Sequence, residues 1–218
     1  MGQTVTRIYR VLELEKPVAI AGFPGIGDVG NLVTKMLVNF LRAILIGELY
    51  SSNFQDFVFI NKSGICRPPR YEFYVAKERK NLLIVTGDGY PAFEDIPGHY
   101  EICSDILDFI SKFGCKFIVT IDGVPALMSQ NGIFVAATSK RILPRIIEKG
   151  ASLYRNKKIV GLSGLILGLA KSRGLEGLCI LASASRYDKD EKAAFRAYKF
   201  LMDLLKSDLL HEDSGLLD

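Results

Sequence analysis

Residues 19–30 read AIAGFPGIGDVG. A short apolar run, Val18, Ala19 and Ile20, leads into a glycine-rich turn. Beyond the turn, Val29, Leu32, Val33, Met36, Leu37, Phe40 and Leu41 recur at spacings of three and four, which places them on one face of a helix. A strand over 17–22, a tight turn and an amphipathic helix from about Asp28 form a unit that must lay its helix on a sheet. Asp28 is the expected N-cap, because its carboxylate can accept from the free N–H groups of the first turn and suits the positive end of the helix dipole.

The turn spells G-x-G-x-x-G through Gly25, Ile26, Gly27, Asp28, Val29 and Gly30, and Glu48 lies near the end of the next apolar run, 43–49. That is the form of a dinucleotide-binding fingerprint, with glycines at the pyrophosphate and an acid at the ribose. Three features weigh against that use. Phe23 and Pro24 stand between the strand and the first glycine, Pro24 stiffens the loop, and Asp28 puts a carboxylate where a pyrophosphate would sit. The competing reading is a strand-to-helix turn in which glycines permit positive φ and close packing.

The rest of the 218 residues alternate between short apolar runs and helical patterns. Strands are expected at 3–14, 43–49, 57–61, 70–76, 81–86, 115–121, 133–137, 158–162 and 177–182. Helices are expected at 100–113, 139–148, 165–172 and 189–205. The run 57–76 reads as an antiparallel excursion on an otherwise parallel sheet. The fold class is α/β, a three-layer α/β/α sandwich around a mainly parallel mixed sheet. Residues 1–206 form one domain. Residues 207–218 are a separate acidic tail, since Asp208, Glu212, Asp213 and Asp218 occur there with no Lys or Arg.

Composition narrows the function classes. Apolar residues make up 49% and the mean hydropathy is +0.20, a surplus that favours a homo-oligomer. No apolar run approaches the ~18 residues of a membrane span, and the first ten residues lack the apolar core of a secretory signal, so a cytoplasmic protein without membrane contact is expected. The cysteines at 66, 103, 115 and 179 include no C-x-x-C pair, and His99 and His211 are the two imidazoles. This is a poor zinc inventory, so neither metal nor cofactor is expected. The basic residues are spread out without a dense basic helix, so nucleic acid is not an expected partner.

Ligands of open α/β sheets sit at the C-terminal ends of the strands. The loops expected there, 23–27, 87–98 and 122–132, bring Asp28, Asp88, Glu94, Asp95, His99 and Asp122 to that edge. Paired carboxylates, or His99 with an acid, could do acid–base work. However, Asp88 and Asp122 both begin the sequence D-G-x-P-A, which is good turn chemistry with no reaction attached. Ser163 lacks the second glycine of a G-x-S-x-G elbow.

The opening GFPGIGDVGNLVTKMLV resembles that of the PAC2 family of proteasome-assembly-chaperone-like proteins. The resemblance continues through Gly87-Asp88, Pro91, Gly98 and Tyr100, then Ile121 with Gly123 and the stretch 135–138. It strengthens at Gly161, Gly164-Leu165, Gly168 and Ala170, at Gly174, Gly177 and Leu181, and at Asp188 or Asp190 before Ala193-Ala194. It implies a phosphorylase/hydrolase-like α/β/α fold without established catalytic residues, and a cytoplasmic homo-oligomer of archaeal type. It also implies help in assembling proteasome α-subunits, through a C-terminal hydrophobic–Tyr–any tail in several members. This chain departs there, ending Leu216-Leu217-Asp218 with leucine in place of tyrosine. The expected function is therefore a non-enzymatic, homo-oligomeric assembly factor whose tail meets α-subunits. The alternative is a small-molecule enzyme or nucleotide binder using Gly25, Ile26, Gly27, Asp28, Asp88, His99 and Asp122.

Overall fold

A computed structural model describes residues 4–76, 81–126, 132–207, 209 and 210. In chain order the strands are β1 (Thr4–Ile8), β2 (Val18–Gly22), β3 (Ile44–Ser51), β4 (Phe59–Ile60), β5 (Cys66–Arg67), β6 (Tyr71–Ala76), β7 (Leu82–Gly87), β8 (Phe117–Pro125), β9 (Ile133–Ala137), β10 (Ser152–Leu153) and β11 (Glu176–Ala184). The helices are α1 (Val29–Leu41), α2 (Ile96–Lys112), α3 (Leu143–Glu148), α4 (Leu162–Ser172) and α5 (Glu191–Lys206). Nine strands form one sheet in the order β1-β3-β6-β7-β2-β8-β11-β9-β10, while β4 and β5 make a small separate hairpin. The four central strands, β7, β2, β8 and β11, run parallel. The wing β1-β3-β6 joins them antiparallel, and β9 pairs antiparallel with β11.

Alternation along the central strands divides the core in two. Val18, Ile20, Leu82, Ile84, Val119, Ile121, Leu178 and Ile180 face α1 and α5. Ala19, Ala21, Leu83, Val85 and Ile118 face α2 and α4. A strand buried on both sides must read as a continuous apolar run, as these do. The α/β/α sandwich expected from the sequence is therefore the fold, with its parallel part at the centre of a mixed sheet.

Several local expectations need correction. Residues 158–162 are not a strand: β10 lies earlier, at Ser152–Leu153, and Leu162 already opens α4. Val160 is 74% exposed and has no strand beside it. The repeated D-G-x-P-A is not one turn used twice. Asp88 bends the chain away after β7, whereas Asp122, Gly123, Val124 and Pro125 remain in β8 and pair with residues 181–184 of β11. The apolar run thus ends four residues before the strand does, because backbone pairing with β11 carries it on. The helix expected at 100–113 starts at Ile96, where the Asp95 side chain accepts from the Gly98 amide at 3.0 Å. Part of the loop expected at 122–132 lies outside the described residues.

Two glycines of the opening stretch are required by proximity. A Cβ on Gly22 would stand 2.2 Å from the Gly30 carbonyl oxygen, and one on Gly30 would stand 2.3 Å from the Ile121 carbonyl oxygen. Helix α1 therefore touches β2 and β8 backbone to backbone. Gly168, by contrast, lies within α4 with nothing within 4 Å of its would-be Cβ. Gly30→Ala is expected to cost about 3 kcal/mol, the upper range of core overpacking. Gly168→Ala is expected to gain about 0.5–1 kcal/mol of helix stability. Urea unfolding midpoints of the two variants check both signs.

Candidate functional site at the parallel strand ends

The turn after β2 is held by the chain itself. Ile26–Asp28 make a single 3-10 turn, with Gly27 at φ 64° and Asp28 at φ 50°. The Gly27 amide donates to the Tyr187 carbonyl at 2.9 Å, and the Asp190 amide donates to the Gly27 carbonyl at 2.9 Å. The space a side chain would need is already filled. A Cβ on Gly25 would lie 2.6 Å from Asp122 Oδ1, one on Gly27 2.9 Å from the Ala184 Cβ, and one on Gly123 2.0 Å from the Ile26 carbonyl oxygen. The G-x-G-x-x-G spacing therefore serves contact between this turn, β8 and the lead-in to α5.

Asp28 occupies the N-cap position of α1 but does not cap it, which corrects the expectation. Its left-handed backbone turns the carboxylate aside, and no backbone amide of the helix donates to it. Both oxygens instead accept from Asn31 Nδ2 at 3.1 Å. The line continues inward: the Thr86 hydroxyl donates to Asn31 Oδ1 at 3.3 Å, and the Thr34 hydroxyl donates to Thr86 Oγ1 at 2.7 Å. Asn31, Thr34 and Thr86 are all buried. Burial raises the Asp28 pKa, while Asn31 and the nearby lysines work against that rise.

Asp122 is the buried acid of this edge. It lies on the α4 side of β8 and accepts from the amide of Gly123 at 2.7 Å. Burial pushes its pKa up to about 7, opposed by the Gly123 amide and the Ser163 hydroxyl, which favour the charged form. Tyr90 is close enough to feel this charge, and burial together with Asp122 raises its own pKa. The remaining candidates are spoken for. The Asp88 carboxylate pairs with Arg67 of the β4–β5 hairpin and accepts from the Arg70 amide at 3.1 Å. His99 lies in the first turn of α2, with Nδ1 2.7 Å from the Asp95 carbonyl oxygen and its ring 5.6 Å from that of Tyr90. The structure thus brings Gly25 to Asp122 and Ile26 to the adjoining Gly123, sets Gly27 against Ala184 and Asp190, and gives Asp28, Asp88 and His99 other partners. Leu216, Leu217 and Asp218 lie outside the described residues.

Two features were missed from sequence. The first is an ionic cluster on the antiparallel wing. Glu48 and Glu72 stand directly opposite each other on β3 and β6, and Arg70 bridges them at 2.9 and 2.6 Å. Tyr9 and Tyr50 both donate to Glu48. The signal was the odd acid in the apolar run ILIGELY. The second is an open apolar groove of about 560 Å³ between α2 and α4. Among the described residues, no group of three or more His, Cys, Asp or Glu is placed to hold a metal ion. No described helix is long and apolar enough to cross a membrane.

Asp122 gives this edge a measurable pH dependence. An unfolded aspartate ionises near pH 4, and the folded one near 7. Between those values the folded state holds the extra proton, so stability falls as pH rises through the window, by at most about 1.4 kcal/mol per pH unit. Denaturant titrations at pH 4.5 and 7.5 are expected to show this loss in the natural chain, and Asp122→Asn is expected to flatten it.

Comparison with known proteins adds the following. The model of the PAC2 family matches residues 19–214. An uncharacterized protein of Methanocaldococcus jannaschii is 31% identical over 199 residues, covering 89% of this chain and 76% of that protein. The crystal structure of Pyrococcus furiosus PbaB, described as an archaeal proteasome activator, superposes with a TM-score of 0.86 at 30% identity, covering 100% of this chain and 92% of that one. P. furiosus PbaA, described as an archaeal homolog of proteasome-assembly chaperone, shares the fold at a TM-score of 0.76 and 22% identity, over 94% of this chain and 86% of that one.

Proposed function

The chain belongs to the PAC2 family, and on that footing we propose that it is a cytoplasmic, homo-oligomeric factor that binds proteasome α-subunits and acts by contact, not catalysis. The observation that carries this reading is the likeness, over the whole chain, to a protein described as a proteasome activator. Two structural features support it. The glycine turn at the strand ends is filled by the chain's own backbone and by Asp122, which leaves that edge a structural task. The apolar surplus of the sequence is displayed outside, at Phe93, Val160, Tyr187, Ile65 and Val11, all at least 65% exposed.

The acidic end, Leu216-Leu217-Asp218, is the contact to the α-subunits in this reading. Leucine at 217 has no hydroxyl, so a contact there would forgo the hydrogen bond that a tyrosine could make. The deletion that tests it removes 211–218 and keeps Leu210, which is buried against the core. In native mass measurements with archaeal-type α-subunits, the full chain is expected to form a complex and the shortened chain to lose it. Leu217→Tyr is expected to tighten binding about tenfold, the worth of one good hydrogen bond. Failure of the full chain to bind would overturn the proposal. Undiminished binding by the shortened chain would move the contact away from the tail.

A further inference from the structure

The large sheet ends in two unlike edges. One is β10, two residues long and followed by the charged Arg155, Lys157 and Lys158, so it gives a second strand little to pair with. The other is β1, five residues in unbroken register with β3 and exposed over 5–8. Thr4, Val5, Thr6 and Ile8 are β-branched, Arg7 is the one charge, and β1 has neither the proline nor the bulge that blunts an edge. The register fixes where its backbone groups point. The Tyr9 amide donates to the Ile46 carbonyl at 2.8 Å, continuing the pairing of Ile8 with Gly47. Bonded positions alternate along an antiparallel pair, so Val5 and Arg7 turn their amides and carbonyls to β3, while Thr4, Thr6 and Ile8 turn theirs outward. Among the described residues, no backbone bond from outside the sheet takes up those outward groups. Beside the edge, α2 carries the acids Glu101 and Asp105. The Thr4 hydroxyl donates to Glu101 at 3.3 Å, and Asp105 Oδ2 is buried with no hydrogen-bond partner among the described residues.

We infer that β1 is the contact strand of a two-fold dimer, pairing antiparallel with β1 of a second copy about Thr6 and joining the two sheets into one. The edge is self-complementary, as a two-fold contact requires. Thr6 meets Thr6 of the other copy, and Thr4 meets Ile8 in two equivalent pairs, so outward groups face outward groups at each pair and exchange both N–H···O bonds. Arg7 falls opposite Val5 of the other copy, with its own Glu48 across from it on β3, so no like charges stand directly opposite. Arg10, exposed two residues past the end of β1, is carried alongside Thr4 of the other copy, where Glu101 and Asp105 supply the opposite charge. An unrelated strand would satisfy the backbone groups alone, whereas a second copy also brings a cation to those acids. Because β10 offers no matching edge, the pairing closes on itself and does not run on into a fibre.

The pairing rests on the homo-oligomer of the proposed function and names its surface. Native mass spectrometry and light scattering of the full chain read the mass, and amide hydrogen exchange reads the edge. The natural chain is expected to be a dimer or a larger even-numbered oligomer, with the Thr6 and Ile8 amides slow to exchange. Thr6→Pro removes an outward donor and no bond to β3. It is expected to at least halve the mass, keep the circular dichroism, and free the Ile8 amide to exchange. Arg10→Glu sets like charges against Glu101 and Asp105 and is expected to at least halve the mass too, which gives the reading if Thr6→Pro fails to fold. Ile65→Asp, on the separate β4–β5 hairpin, is expected to leave the mass unchanged. A natural oligomer whose Thr6 and Ile8 amides exchange freely would overturn the edge as the interface and leave self-association standing. An unaltered mass in folded Thr6→Pro and Arg10→Glu would do the same, as would dissociation by Ile65→Asp alone. A monomeric natural chain would overturn the homo-oligomer and the pairing together.

Discussion

The fold depends on backbone meeting backbone where β2 turns into α1. The Gly22 and Gly30 positions allow the first turn of the helix to lie on the end of its own strand, and Gly30 also reaches the Ile121 carbonyl of β8. Gly123 returns the contact against the Ile26 carbonyl. Helix α1 then covers the sheet through Val29, Val33 and Leu37, all fully buried. Because backbone atoms cannot yield as the end of a flexible side chain can, these approaches fix the height of the helix above the sheet. The buried line from Thr34 through Thr86 and Asn31 to Asp28 ties the same helix to β7 and satisfies the polar groups that the close approach hides.

The antiparallel wing solves a different problem. Its α2-facing side is apolar, with Phe73 stacked on Phe109 at 3.7 Å and Tyr71 between Phe23 and Phe54. On the other side, two glutamates face each other across β3 and β6, and like charges so placed repel. Arg70 lies between them, and the hydroxyls of Tyr9 and Tyr50 take up the remaining oxygen of Glu48, which is buried to 5% exposure. Removing Arg70 would leave an unpaired buried charge, which is costly even where the pair itself contributes little. The chain before β2 is thereby pinned to the wing through Tyr9.

Much of this was legible in the residues. The buried central strands announced themselves as short apolar runs, and the helices α1, α2 and α5 by their spacing, because both patterns follow from burial alone. The family was legible from the order of its glycine patterns, of which Gly22, Gly30 and Gly123 sit at close backbone contacts. What escaped was set by partners remote in sequence. Asp122 looked like a turn residue because D-G-x-P is turn chemistry, yet pairing with β11 holds it in a strand. Asp28 had the right type and place for a cap, but its left-handed backbone gives its carboxylate to Asn31. The apolar run at 158–162 had strand composition without a strand beside it to pair with. Glu48 fitted the acid of a dinucleotide fingerprint in spacing alone, while its partner, Arg70, lay 22 positions along the chain.

In the proposed function the protein works through its outer surfaces, and the glycine turn serves packing. The most direct measurement is thermal unfolding of the full chain in the presence of millimolar phosphate, nucleoside, nucleotide and dinucleotide. A ligand held at the turn must raise the midpoint by mass action. The expected result is the same midpoint in every case. A rise of several degrees that saturates with one of these ligands, and that Asp122→Asn or Asp28→Asn removes, would contradict it.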